Sequence, residues 1–411
     1  MSQLKGACII AQSGGPTAVI NASAYGVIRT ALDSDSITNV YGAANGIVGV
    51  LNDKLYIMEE EDAAELELLK YTPSSFLGSS RYKLADSDVD DTDYNRILEI
   101  FKKYDVRYFF YNGGNDSMDT CNKISKFMIN AGYECRIMGI PKTIDNDLYG
   151  IDHCPGFPSA AKYIATSFME VYLDSRVYDA GMVTIIECMG RNAGWLTAAA
   201  ALANEMGQGP DLIYLPERAF SMDKFLADIE RVYKAEGKCL VAVSEGIKYE
   251  NGELVVETTA SATDGFGHAQ LGGLAMILAD KVKQKTGAKV RGIEFNLLQR
   301  CAAHVASLTD IEESFMVGKV AVEEAVKGVT DKMSGFECDR KDGYKCIPKM
   351  FDLKEVANYE KKIPDDWINA EGNGVLKPFI DYAMPLIQGE TKLPKENGLP
   401  RFARLKKVVA K

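Results

Sequence analysis

Carboxylates, amides and a lysine gather in two short loops of this 411-residue chain. One reads Gly113-Gly114-Asn115-Asp116-Ser117 and the other Pro141-Lys142-Thr143-Ile144-Asp145-Asn146-Asp147. Glycines after a strand and before a helix let backbone N–H groups approach an anion, and the helix dipole favours it there. A carboxylate beside such glycines repels phosphate unless a cation intervenes, so Asp116 implies Mg²⁺ or a neighbouring Lys or Arg. A hydroxyl attacking a phosphoryl group needs a carboxylate base within hydrogen-bond reach. Asp145 and Asp147 offer one, with Lys142 close by in the same loop. Each string also has a plain reading: Asp116 and Ser117 can cap a helix, and Asp-Asn-Asp is commonly a polar turn. Placement directly after apolar strands moves the balance toward phosphoryl transfer.

Other segments add to this pattern. Gly14 and Gly15 lie in Ser13-Gly14-Gly15-Pro16-Thr17, after an apolar run and before a helical one. The string is neither a Walker A loop nor G-x-G-x-x-G. Gly78-Ser79-Ser80-Arg81 can grip phosphate, as can Arg191 of Met189-Gly190-Arg191. Glu245 is suited to accepting from sugar hydroxyls. Arg291 and the pair Gln299-Arg300 supply two more cations. Each is weak alone, as a tight turn or a solvated charge; together they supply glycines for phosphates, strand-end carboxylates and several arginines.

The elements that must position them are short apolar runs followed by helix-like segments. Runs at 6–11, 106–111, 136–140, 182–188, 212–215 and 239–243 read as strands. Segments 21–32, 117–130 and 195–204 read as helices. Continuous apolar strands alternating with helices predict parallel sheets covered on both faces, the doubly wound α/β class, with ligands at the carboxyl ends of strands. The length exceeds one ordinary core and predicts two such domains. The tail from about 331 to 411 is rich in Lys, Asp, Glu and Pro and reads as a peripheral C-terminal elaboration. The nine cysteines are scattered without a C-x-x-C pair, and there are three histidines, which argues against a zinc site or disulfide framework. A formal charge of −11 argues against nucleic-acid or acidic-membrane partners. No apolar stretch of membrane-spanning length and no signal peptide is evident, so a cytoplasmic protein is expected.

The order of these motifs resembles the phosphofructokinase family, from about Gly6 to Ala306. The string Pro141 to Asp147 and Met189-Gly190-Arg191 are its most specific carriers. The resemblance implies two Rossmann-like domains with the active site in the cleft between them. Residues 1–150, completed by about 298–345, would bind the phosphoryl donor. Residues 151–297, completed by part of 346–411, would bind the sugar phosphate. It further implies transfer to the C1 hydroxyl of fructose 6-phosphate, with Asp145 as base and Lys142, Asp116 and Arg191 as catalytic partners. Thr143, Ile144, Met189, Gly190, Glu245, Arg291, Gln299 and Arg300 would bind substrate. Gly14, Gly15, Arg81 and Gly114 would hold the donor. The phosphate site lies between subunits in this family, so a homodimer or homotetramer is implied.

ATP-using members carry a glycine at the place of Asp116 and no lysine at that of Lys142. The chain therefore looks like the pyrophosphate-using branch, with Asp116 filling the space of a nucleotide's α-phosphate and Lys142 pairing with it. Asn115 stands where the family usually has an aspartate, Leu297 where many members have His or Tyr, and Met182 where many have Arg. Mg²⁺ is expected on Asn115 and Asp147. The competing expectations are an ATP-dependent enzyme or a kinase of sedoheptulose 7-phosphate. A regulatory subunit that has lost its base fits poorly, because Asp145, Asp147, Arg191 and Lys142 are all present. An oxidoreductase fits poorly too, since the dinucleotide fingerprint is missing.

Overall fold

The computed structural model describes residues 4–256, 272–357 and 359–411. Its larger sheet contains β1 (Gly6–Gln12), β2 (Ile37–Ala43), β3 (Leu55–Ile57), β4 (Val106–Gly113) and β5 (Arg136–Pro141). The smaller sheet contains β6 (Met182–Cys188), β7 (Leu212–Tyr214), β8 (Lys238–Ser244) and β9 (Lys289–Glu294). Two later strands, β10 (Lys332–Asp339) and β11 (Lys345–Asp352), return to the larger sheet. Its order is β11-β10-β5-β4-β1-β2-β3, and that of the smaller sheet is β7-β8-β6-β9. The smaller sheet is wholly parallel. In the larger sheet only the outermost strands, β3 and β11, run antiparallel to their neighbours. The architecture is the α/β class expected, with mainly parallel sheets and interleaved helices.

The central strands follow from their sequences. β1 (GACIIAQ) and β6 (MVTIIEC) are buried along their whole length, as strands covered by helices on both faces must be. Register then decides where the loops emerge. Gln12 lies opposite Asn112, and Gly113 opposite Pro141, so β1, β4 and β5 end side by side. Cys188 lies opposite Ser244, so β6 and β8 also end together.

The C-terminal segment corrects one expectation. It is not peripheral. β10 extends the larger sheet with Met333 and Phe336 buried, while Phe379, Tyr382, Ala383 and Leu386 enter the core around the smaller sheet. β11 alternates exposed with half-buried residues, as an outer strand with one wet face does. Its lysines mask that period-two pattern in the sequence. The alanine-rich segment also differs: its α-helix ends at Ala198 and winds on as 3₁₀ from Ala199 to Met206. No helix among the described residues is long and apolar enough to cross a membrane.

The helices Ile20–Leu32 and Leu308–Val326 cross in direct backbone contact. A Cβ on Gly26 would lie 2.2 Å from the Phe315 carbonyl oxygen, and one on Gly318 would lie 2.1 Å from that of Ser23. A side chain at either point must push the helices apart. Gly318→Val is expected to destabilise by about 1–3 kcal/mol, the usual cost of overpacking. Urea unfolding checks this against Lys319→Ala on the exposed face; equal midpoints would show that the crossing is not so tight.

Candidate active site

The loops at the strand ends converge on a cavity of about 600 Å³. The larger sheet contributes Gly14 and Gly15 after β1, Gly114 to Ser117 after β4, and Lys142 to Asp145 with Asp147 after β5. The smaller sheet contributes Met189 and Arg191 after β6 and Glu245 after β8. Arg81 and Arg300 complete the wall.

Three cations surround the Gly14–Gly15 turn. Ser79 Oγ donates to the Gly14 carbonyl at 2.6 Å, and the Gly14 N–H donates to the Ser80 carbonyl at 3.3 Å. These bonds dock the Arg81 loop on the turn. Lys142 Nζ donates to the Gly15 carbonyl at 2.7 Å. A Cβ on Gly15 would lie 3.2 Å from Arg300 Nη1 and 3.8 Å from Arg81 Nη2, and one on Gly14 would lie 2.9 Å from Lys142 Nζ. Burial pushes the Lys142 ammonium down to about 8, with the Asp145 carboxylate opposing that shift. Burial, and then Arg81, draw the Arg300 guanidinium down as well. Such a cluster is built to receive a polyanion.

The carboxylates face this cluster. Thr143 Oγ1 accepts from the Asp145 N–H at 3.1 Å and donates to Asp145 Oδ2 at 3.3 Å. The aspartate is thereby oriented by its own loop. Burial pushes Asp145 up, and Lys142 opposes it. Asp147 is pushed up to about 7 by burial and then by the Asp145 and Glu360 carboxylates. In the smaller sheet the Glu245 N–H donates to the Cys188 carbonyl at 3.0 Å, and Glu245 Oε1 accepts from the Gly190 N–H at 3.2 Å. Burial raises Glu245 to about 6, the Gly190 N–H opposing and Asp145 adding to the rise.

Oxygen donors for a cation are present. Asn115 Oδ1 is buried without a hydrogen-bond partner among the described residues, and Asn115 Nδ2 donates to Asp147 Oδ2 at 3.4 Å. A free amide oxygen beside a carboxylate suits a hard divalent cation.

Several expectations are corrected. Lys142 makes no ion pair with Asp116 among the described residues; its ammonium goes to Gly15, and the carboxylates acting on it most are Asp145 and Asp147. Gln299 does not line the cavity. Its Oε1 accepts from the Met189 N–H at 3.2 Å and its Nε2 donates to the Asn296 carbonyl at 2.9 Å, so both polar ends hold the protein's own backbone. Gly190 is likewise buried and serves to orient Glu245. Arg291 is exposed on β9, at the outer edge of the smaller sheet, and does not reach this chain's cavity. Ile144 does line the cavity while its side chain packs into the core around the smaller sheet.

Sequence reasoning missed Asn192, Tyr359 and Glu360 on the cavity rim. Asn192 Nδ2 donates to Glu360 Oε1 at 2.9 Å. Asn192 directly follows the Met-Gly-Arg string, which was a usable signal; nothing local marks Tyr359 or Glu360.

Comparison with known proteins agrees with this geometry. The family model described as Phosphofructokinase matches residues 7–323. A pyrophosphate–fructose 6-phosphate 1-phosphotransferase from Xanthomonas campestris pv. campestris is 46% identical, over 98% of this chain and 97% of the relative. The crystal structure of a pyrophosphate-dependent phosphofructokinase from Nitrosospira multiformis superposes with a TM-score of 0.90 at 40% identity, covering 99% of this chain and 98% of that one. A sulfofructose kinase from Alkalicoccus urumqiensis is 32% identical over 93% of this chain and 97% of its own length. With the cavity, the strand-end loops and the full-length similarity in agreement, the chain belongs to the phosphofructokinase family.

Proposed function

We propose that this chain transfers a phosphoryl group from pyrophosphate to the C1 hydroxyl of fructose 6-phosphate, giving fructose 1,6-bisphosphate and phosphate, in glycolysis and gluconeogenesis. The observation that carries this is the convergence of Arg81, Lys142 and Arg300 on Gly14–Gly15 in the cavity that also holds Asp145. The names of the relatives at 40–46% identity support the same donor and acceptor.

The residues divide the work as follows. Gly14, Gly15, Gly114 and Arg81 hold pyrophosphate, and the N-terminus of the Asn115–Asn130 helix faces it. Asp145 takes the C1 hydroxyl proton as that oxygen attacks the terminal phosphorus and the bridging P–O bond breaks. Lys142 carries the negative charge that develops on the departing phosphate, and Arg191 that on the group in flight. Thr143, Ile144, Met189 and Glu245 shape the sugar side, and Arg300 reaches the sugar phosphate. Asn115 and Asp147 would hold Mg²⁺, which neutralises pyrophosphate oxygens when bound. Asp116, in the first helical turn, occupies the space a nucleotide would need for its α-phosphate. Arg291 lies on an exposed outer strand and serves the site of a second copy in a homodimer or homotetramer. The larger sheet with 1–150 and the returning strands forms the donor domain, and the smaller sheet the sugar domain. The enzyme works in the cytoplasm.

Initial rates for pyrophosphate and ATP against fructose 6-phosphate, sedoheptulose 7-phosphate and sulfofructose test the reading. Turnover with pyrophosphate and fructose 6-phosphate should exceed every other pair; dominance of ATP or of another acceptor would overturn it. Asp116→Gly combined with Lys142→Gly should lower pyrophosphate turnover by about 100-fold or more, the scale of a lost charge stabiliser. Unchanged turnover would exclude the donor-selecting role. The pH dependence carries a sign. Lys142 with a pKa of about 8 is charged below that pH and neutral above it. In wild type, kcat/KM for pyrophosphate should therefore fall as pH rises through that value, and Lys142→Arg should move the fall upward. Superimposable profiles would rule Lys142 out as the group responsible.

A further inference from the structure

Asn146 sits between the two loop aspartates, fully buried, with φ of +55°. This left-handed backbone is tolerated by asparagine but must be held by its surroundings. It turns the chain so that Asp145 and Asp147 both line the cavity. One group holding it is local, the Cys154 N–H, which donates to Asn146 Oδ1 at 2.9 Å; the others come from the C-terminal segment. Asn146 Nδ2 donates to Tyr382 Oη at 2.8 Å, and Tyr382 Oη donates on to the Asp152 carbonyl at 2.8 Å. Lys361 Nζ donates to the Asp152 carbonyl at 2.6 Å and the Ile151 carbonyl at 3.2 Å, and lies 3.5 Å from Asn146 Oδ1. The Lys361 backbone N–H donates to the Asp147 carbonyl at 2.7 Å.

Lys361 is an unusual lysine. Its ammonium makes no ion pair with a carboxylate among the described residues. It is directed at backbone carbonyls of the 146–152 turn and lies 5.0 Å from the centre of the Trp195 ring. Lys361 is half-buried; a partly desolvated ammonium outside an ion pair is costly, and these contacts offset that cost. Tyr382 is fixed in turn by ring contacts to Trp195 at 5.3 Å and Trp367 at 5.6 Å.

We propose that Lys361 and Tyr382 are positioning residues for the phosphoryl-transfer reaction, fixing the Asn146 turn and through it the placement of Asp145. The C-terminal segment thus acts as a buttress for the catalytic loop. This rests on the reading of Asp145 as base; Asp145→Asn tests that reading, and the variants below test the buttress.

Tyr382→Phe keeps the ring packing and removes only the hydroxyl. It should lower kcat about tenfold to a hundredfold, the scale of a modest misplacement of reacting groups. KM for both substrates should stay within about twofold, because the substrate contacts are intact. Lys361→Met should do the same, and Lys361→Arg should recover part of the loss. If Lys361→Met fails to fold, Tyr382→Phe decides alone. An unchanged kcat in Tyr382→Phe overturns the proposal. So does a fall in kcat matched by an equal loss of folded protein in near-ultraviolet circular dichroism, or a KM that rises as steeply as kcat falls.

Discussion

Three cations crowded around one glycine turn set the terms for the rest of the structure. Two unit charges 4 Å apart repel by about 4 kcal/mol at the effective dielectric of a protein surface. Arg81, Lys142 and Arg300 repel one another, and burial, with that repulsion added, draws Lys142 and Arg300 below their ordinary values. The cluster persists because the protein supplies partial compensation: the Gly15 carbonyl takes Lys142, and the Asp145 carboxylate faces it. Full compensation needs a compact polyanion. In the proposed reaction the phosphates of both substrates supply it, pyrophosphate at Arg81 and Lys142 and the sugar phosphate at Arg300. In the proposed mechanism the same arrangement would let Lys142 meet the charge of the departing phosphate.

Such a cluster can exist only if several strands end at one place. Parallel register aligns the ends of β1, β4 and β5 in the larger sheet and of β6 and β8 in the smaller. Backbone bonds then take over from the sheets. Ser79 and Ser80 dock the Arg81 loop on Gly14, Thr143 orients Asp145, and Gly190 holds Glu245. Gln299 holds Met189 from behind. The loops of the larger and the smaller sheet are thus fixed separately, and the C-terminal segment ties the 141–147 loop to the aromatic core around the smaller sheet through Tyr382 and Trp195.

Much of this was legible in the sequence because the chemistry-bearing residues sit in short contiguous loops directly after apolar runs. Gly14, Gly15, Lys142, Asp145, Arg191 and Glu245 could be placed without tertiary information, since a strand end delivers its loop to the cleft. What depends on distant contacts was not legible. Lys361 lies in an irregular segment and Tyr382 in a short helix, Lys377–Ala383, and their proposed roles come from partners far away in sequence. Gln299 was read as a substrate contact because the family resemblance places the adjacent Arg300 on the sugar phosphate; both its polar ends are taken by backbone groups. Arg291 belongs to the motif but lies on the outer strand of the smaller sheet, away from this chain's cavity.

The central claim is that donor binding and proton removal reside in separate groups of one cavity. Asp145→Asn separates them, because the amide keeps the shape and loses the base. Pyrophosphate affinity by calorimetry, together with the single-turnover rate of fructose 1,6-bisphosphate formation, tests this most directly. Affinity should hold within a few-fold while the rate falls by about 10²–10⁴, the usual contribution of a positioned base. A variant that loses pyrophosphate affinity in step with rate, or that keeps the wild-type rate, would contradict it.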